Sequence, residues 1–388
     1  MKLDTRAIRY LTAEDWRVLT AVEMGSKNHE VVPTPLISQI SGLRGASGVN
    51  RSISNLAKVG LIAKVKNAKY DGYRLTYGGL DYLALNTFIK RKSVYSIGNQ
   101  VGVGKESDIY VVADESGKQR ILKIHRLGRI SFRTVKANRD YLRNRNAASW
   151  MYMSRLAAMK EFAFMKVLKD NGFPVPTPID QARHCVLMEL IDSYPLRQVT
   201  EIADPPKLYD DLMGLIVRFA SQGLIHGDFN EFNILVNEET QEPVVIDFPQ
   251  MVSIDHPNAE EYFDRDVQCI KTFFERKFGF ESEEKGPSLK DVKRRGKLDV
   301  EVEASGFSKK QAKELDKYLQ QIAKLDEREG DEASGAVSTD EDDEDQEEQG
   351  SGIENDDDDG PDSNLSEDSH EMKNEADTGA PRSGLLSV

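Results

Sequence analysis

Two cysteines, Cys185 and Cys269, are all that this 388-residue chain offers for disulfides or thiolate metal sites. They lie far apart, make neither a disulfide framework nor a zinc spacing, and suit a reducing compartment. No run of roughly 18 apolar residues occurs, which argues against a membrane-spanning helix. Residues 1–10 are polar and charged, unlike a secretory signal. No internal repeat is present. Basic residues are scarce in the last stretch: Asp331 to Val388 holds 21 Asp or Glu against Lys373 and Arg382, a net −19. The whole chain carries −14, so residues 1–330 form a mildly basic body of +5. A tail of that composition cannot bury enough apolar surface to offset its ordering entropy, and residues 331–388 are expected to be disordered.

What is there falls into segments of different periodicity. Trp16, Val18, Leu19 and Val22 make one helical stripe; Leu36, Ile37, Ile40 and Leu43 make a second. Ser47 to Asn50 opens a third helix, with Ile53, Leu56, Ala57 and Val59 following and Gly60 stopping it. Leu61 to Val65 and Tyr73 to Thr76 read as strands joined by a turn over Asn67 to Gly72. Three helices and a two-strand wing make a winged helix over residues 1–92. Its third helix offers Asn50, Arg51, Asn55 and Lys58 to solvent, so Arg51 and Lys58 are candidate RNA contacts; a protein-docking module is the alternative. From Ile97 the pattern turns to strands: Asp108 to Ala113, Arg120 to Ile124 and Cys185 to Ile191. A helix follows over Leu208 to Phe219 with Gly223 as its stop. The body is therefore α+β in two parts, strands first (93–190) and helices later (191–282). Residues 283–330 are charged and expected to be weakly ordered, with a capping box at Ser308 opening a polar helix toward Glu327.

The segment with the most chemistry is His226-Gly227-Asp228-Phe229-Asn230-Glu231-Phe232-Asn233, followed by the apolar strand Val244 to Ile246 ending in Asp247-Phe248-Pro249. Phosphoryl transfer needs such a set. One carboxylate orients or deprotonates the attacking hydroxyl, and a second carboxylate with an amide oxygen holds magnesium on the phosphates. Against the kinase motifs, Gly227 replaces Arg and Pro249 replaces Gly. Upstream, Gly102 and Gly104 lie between strands as a kinase glycine loop must, with Lys105 and Ser107 beside them. Ser107 in place of a third glycine restricts the backbone there. Neither a Walker A loop nor a dinucleotide fingerprint fits. Lys123 sits among apolar neighbours in a strand and needs a partner. Glu161, in a helix over Ser154 to Leu168, is the carboxylate we pair with it. Each residue alone has a mundane reading as a loop glycine, an edge lysine or a solvated charge. The order glycine loop, Lys, Glu, Asp-x4-Asn, Asp-Phe is what favours an ATP- and Mg²⁺-using phosphotransferase.

With these residues in view, the chain resembles the RIO family of atypical protein kinases, and closely its winged-helix branch (RIO kinase two). Gly104 to Tyr110, Ile225 to Asn233, Ile246 to Gln250, Trp16 to His29 and the wing carry the resemblance, over roughly residues 1–280. It implies a trimmed bilobal kinase fold without the usual activation segment, and no Ala-Pro-Glu follows Asp247. It implies Asp228 as catalytic base, Asn233 and Asp247 as metal ligands, and Lys123 as the phosphate lysine. It also implies a hinge at Met188 to Ile191, where backbone groups of Glu189 and Ile191 meet adenine. Asp247 is further implied as the acceptor of an aspartyl-phosphate. The branch acts in late cytoplasmic maturation of the small ribosomal subunit precursor, with ATP hydrolysis driving release; passage through the nucleus is compatible with that location.

A basic run fits an rRNA-facing surface. Lys123, Arg126, Arg129, Arg133, Lys136, Arg139, Arg143 and Arg145 are accompanied by one acid, Asp140. An insertion over 127–148 of this composition suits phosphate-backbone contact. The acidic tail could compete for the same surface, and its Ser338, Thr339, Ser366 and Ser369 are candidate phosphorylation sites. Two other readings stay open: a conventional Ser/Thr kinase with a peptide substrate, and a winged-helix nucleic-acid-binding protein whose kinase body only binds nucleotide.

Overall fold

Helix α1 (Ala13–Gly25) starts where Thr12 and Asp15 form a reciprocal capping box, Thr12 Oγ1 accepting from Asp15 N and Asp15 from Thr12 N. This computed structural model describes residues 3–65, 71–127, 147–305 and 311–315, with backbone alone for 147–149. Strand β1 (Val32–Pro33), α2 (Thr34–Ser41) and α3 (Ala46–Lys58) follow, then β2 (Ile62–Val65) and β3 (Gly72–Leu75) in a sheet of order β1-β3-β2. Val18, Leu19, Val22, Ile37, Ile53 and Leu56 are buried together, so the stripes read from the sequence form one core. Gly60 has a φ of 76°, the left-handed stop after α3. Arg51 and Lys58 are exposed; Asn55, expected in solvent, is half-buried. Most of the expected wing turn lies outside the described residues.

The hairpin does not end this part of the chain. Helix α4 (Tyr77–Lys90) follows directly, and the sequence reading missed it. Its opening Gly78-Gly79 argues against a helix by propensity. Packing overrides that, because a Cβ at Gly79 would run into the carbonyl oxygen of Leu61. The helix is apolar on nearly all sides and is buried accordingly. Leu80, Tyr82 and Leu83 join the winged-helix core, while Ala84, Leu85 and Phe88 pack with Val112, Leu122, Ile124 and Leu187 behind the next sheet.

That sheet is antiparallel, with the order β4-β5-β6-β8-β7: β4 (Ser96–Val103), β5 (Ser107–Ala113), β6 (Gln119–His125), β7 (Pro178–Ala182) and β8 (Cys185–Glu189). Helix α5 (Ala147–Asp170) lies against it and is longer than the expected Ser154 to Leu168. Beyond β8 come β9 (Ser193–Pro195) and α6 (Pro205–Ser221), capped by Asp204 accepting from Lys207 N and stopped at Gly223, whose φ is 93°. Then follow β10 (Leu224–Ile225), β11 (Ile234–Asn237), β12 (Pro243–Val245) and β13 (Val252–Ser253), in sheets β12-β11-β9 and β10-β13. Helix α7 (Ala259–Phe278) buries Phe263, Val267, Ile270 and Phe274 against α6. This is the α+β two-part body expected.

The charged segment after residue 283 is more ordered than its composition suggested. Helix α8 (Leu298–Ala304) buries Leu298 and Val302 in the same core. Arg294 pairs with Asp255 and Asp299, and Asp299 accepts from Ser253 Oγ at 2.7 Å. Residues 311–315 are helical, with Leu315 buried. The rest of the expected 308–327 helix and the acidic tail lie outside the described residues. Among the described residues, no helix is long and apolar enough to cross a membrane.

Candidate active site

Four segments, carrying Lys123, Glu161, Asp228 with Asn233, and Asp247, are joined by ion pairs and hydrogen bonds, and the glycine turn opens the strand that pairs with the one bearing Lys123. The turn between β4 and β5 carries Gly104, Lys105 and Ser107, closed by Gly104 N donating to Ser107 O at 2.7 Å. A Cβ at Gly102 would press on Ile109 at 3.2 Å, so the loop packs flat onto its own hairpin. Lys123, on β6, is 6% exposed. Its ammonium reaches Glu161 Oε1 at 2.7 Å and Asp247 Oδ1 at 2.8 Å. Lys123 and Glu161 thus meet across the sheet–helix contact. Burial pushes the lysine down, but Asp247 and Glu161 outweigh it and hold it above the ordinary lysine value. Glu161, 1% exposed, would be raised by burial, yet Lys123 and His125 bring it to about 2. Its second oxygen lies 2.6 Å from His125 Nε2. The sequence reading missed His125, although it stands two residues from Lys123 on the same face of the strand.

The loop between β10 and β11 carries Asp228 and Asn233. Asp228 Oδ1 accepts from Asn230 Nδ2 at 2.8 Å; Oδ2 accepts from Asn233 Nδ2 at 2.9 Å and Gln250 Nε2 at 3.2 Å. Burial first, and then the Asp247 charge, push Asp228 up to about 6 against the pull of Asn233, Arg265 and Lys123. A carboxylate with its proton affinity near neutrality can serve as a general base. The backbone under it is held by Asp266 on α7, 1% exposed, which accepts from Gly227 N at 2.8 Å and Phe229 N at 2.9 Å. Arg265 donates to the Gly227 carbonyl. Sequence reasoning did not single out Asp266. Its signal was a carboxylate on the apolar face of a helix, beside Phe263, Val267 and Ile270.

Asp247 follows β12 with a φ of 71°, an unfavourable conformation for a non-glycine residue of the kind that gathers at functional sites. Ile246 N donates to Asn233 O at 2.9 Å, which fastens the two ligand-bearing loops together. Asn233 spends its amide N–H groups on Asp228, which leaves its oxygen for a cation. Among the described residues, no group of three or more His, Cys, Asp or Glu side chains could hold a metal. One amide oxygen, one carboxylate and phosphate oxygens are a donor set that suits Mg²⁺, which keeps several waters. At the hinge, Met188 is buried, and Glu189 N donates to Thr177 O at 2.9 Å, so an adenine contact at Glu189 falls to its carbonyl. The Ile191 carbonyl accepts from Ser193 Oγ at 3.3 Å.

One expected RNA contact is corrected. Arg126 is 4% exposed, its guanidinium paired with Asp81 and Asp108, and it is not available to a phosphate backbone. The periodicity of basic residues ran on from the strand into the insertion and hid the boundary. Arg129, Arg133, Lys136, Arg139, Arg143 and Arg145 lie outside the described residues.

A family model described as the RIO domain matches residues 108–286, and one described as Rio2, N-terminal matches 8–91. Serine/threonine-protein kinase rio2 of Schizosaccharomyces pombe is 63% identical over 324 residues, covering 83% of this chain and 93% of the relative. The Saccharomyces cerevisiae protein RIO2 is 55% identical over 333 residues, covering 80% and 78%. A solved Rio2 kinase–ADP/Mg²⁺–phosphoaspartate complex from Chaetomium thermophilum is 65% identical with a TM-score of 0.78, covering 83% of this chain and 99% of that one.

Proposed function

The chain belongs to the Rio2 family of RIO-domain serine/threonine-protein kinases, and from that premise we propose that it turns over ATP with Mg²⁺ as a switch on the small ribosomal subunit precursor. The observation that carries the catalytic part is the position of Lys123 between Glu161 and Asp247, beside a loop that fixes Asp228 to Asn233. When ATP binds, its phosphates take over the ammonium that Asp247 now occupies. Asn233 and Asp247 hold Mg²⁺, which neutralises the phosphate charge.

Asp247 is the first acceptor in this reading. Its carboxylate oxygen attacks the γ-phosphorus, the bond to the β–γ bridging oxygen breaks, and ADP leaves with that bond's electron pair. A water then attacks the phosphorus of the acyl phosphate, giving its proton to Asp228, and inorganic phosphate leaves as Asp247 is restored. The phosphoaspartate in the related Rio2 structure supports this course. Only residues 248–258 separate Asp247 from α7, and β13 occupies part of them. That leaves little chain for the segment on which peptide substrates dock in ordinary kinases, and favours the switch over peptide phosphorylation.

Exposed Arg51 and Lys58 on α3 and the basic residues 129–145 support an rRNA-bearing partner. We place this activity in late, cytoplasmic maturation of the subunit, where turnover drives release. The test uses γ-labelled ATP with wild type, Asp228→Ala and Asp247→Ala, with and without precursor particles. We expect phosphate release from wild type alone and no protein-bound label on Asp247→Ala. Equal background release from all three would leave only a binding protein, and label on a protein substrate in excess over enzyme would favour the peptide kinase.

A further inference from the structure

One guanidinium ties the winged-helix part of the chain to the glycine loop. Arg126 follows β6 directly. Its Nη1 and Nη2 donate to Asp81 of α4 at 2.6 and 2.8 Å, and its Nε donates to Asp108 of β5 at 3.1 Å. Its backbone N–H donates to the carbonyl of Glu106, inside the glycine-loop turn, at 2.5 Å. Asp108 Oδ1 in turn accepts from Gln100 Nε2 of β4 at 3.2 Å. Both strands of the loop hairpin and its turn are therefore fastened to one residue, three positions beyond Lys123. Asp81 Oδ1, which accepts from Arg126 Nη1, also lies 2.8 Å from His184 Nε2. Asp81, Asp108, Arg126 and His184 are each at most 4% exposed.

A buried ion cluster of this kind gives little net stability over an apolar core of the same shape, because desolvation offsets the attraction. What it does supply is directionality: a planar fork fixes distances that methyl groups would leave free. We propose that α4 is part of the nucleotide site, with Asp81 and Arg126 acting as positioning residues that set the height of the glycine loop over the phosphates. The winged-helix domain then does more than hold a partner: its last helix completes the geometry on which ATP affinity depends. The inference rests on this cleft being the nucleotide site, as proposed above, but not on the chemistry carried out there.

The test measures the Kd of Mg²⁺–ADP by titration calorimetry on the full chain, alongside KM and kcat for ATP. For Asp81→Asn and Arg126→Lys we expect Kd and KM to rise roughly five- to tenfold, tenfold being about 1.4 kcal/mol of binding, while kcat at saturating ATP stays within about twofold. A purely structural role would lower the active fraction, and with it the apparent kcat, and leave Kd unmoved; that result overturns the proposal. If either variant fails to fold, Asp81→Glu keeps the charge facing Arg126 and lengthens that arm by one methylene. A smaller rise in Kd is then expected, and an unchanged Kd again overturns the proposal. Wild type that binds Mg²⁺–ADP without turning over ATP would defeat the enzymatic reading and leave this test intact.

Discussion

Replacing Glu161 by Gln perturbs the site at a fully buried charge. The amide can still accept from Lys123, but the negative charge that faced both Lys123 and His125 is gone. Lys123 is left with Asp247, a partner whose side chain is 36% exposed. Breaking a buried pair by removing one partner costs about 3–5 kcal/mol, and the retained hydrogen bond places this change near about 3 kcal/mol. Proton linkage gives a similar figure. A carboxyl lowered from 4.5 to about 2 on folding contributes about 3 kcal/mol at neutral pH. The sign follows from the lowered value: this stability is present above about pH 4.5 and is lost as pH falls toward 2. For a body of about 300 residues, at about 2.1 cal/mol/K per residue, the loss corresponds to a Tm decrease of about 4–6 °C. Urea unfolding followed by tryptophan fluorescence suits the measurement, since Trp150 lies on the same helix as Glu161 and Trp16 reports on the winged helix. A loss below about 1 kcal/mol at pH 7, or a wild-type advantage that widens between pH 4.5 and 2.5, would refute the reasoning.

Other outcomes follow from the same geometry. ATP turnover should rise with pH through about 6 as Asp228 loses its proton, and Asp228→Asn should remove both the activity, by roughly 10²-fold or more, and that pH limb; a limb that persists in the variant would assign it to another group. Asp266→Asn leaves one of the two N–H donors, Gly227 or Phe229, facing an amide N–H; a buried unpaired donor costs about 1–3 kcal/mol, so kcat should fall with the stability, and unchanged values for both would refute the anchoring role. If the proposed rRNA-bearing partner is bound through α3, Arg51→Glu with Lys58→Glu should weaken that binding and flatten its salt dependence by roughly two phosphate contacts, whereas Arg126→Lys should leave the slope unchanged.

The sequence held the first three helices, the wing strands and the active-site segments because each is a local signal: a 3.6-residue stripe, a glycine stop, or an apolar strand ending in Asp. Helix α4 was illegible because its two opening glycines and all-round apolar surface make sense only against two cores at once. Asp81, Asp108 and Arg126 were hidden for a related reason. Sequence presents Arg126 as one more cation in a basic run, and only the fold sets two carboxylates from different elements around it. Asp266 and His125 act through residues that the motifs name, and no motif spacing points to them. Pairing Lys123 with Glu161 succeeded by elimination, since few carboxylates lay within reach.

A structure of the protein with Mg²⁺ and a non-hydrolysable ATP analogue tests the central claim most directly. Lys123 should leave Asp247 for the phosphates while keeping Glu161, with the cation between the Asn233 amide oxygen and the Asp247 carboxylate. Nucleotide bound elsewhere, or Lys123 still on Asp247 with the phosphates out of reach, would contradict it.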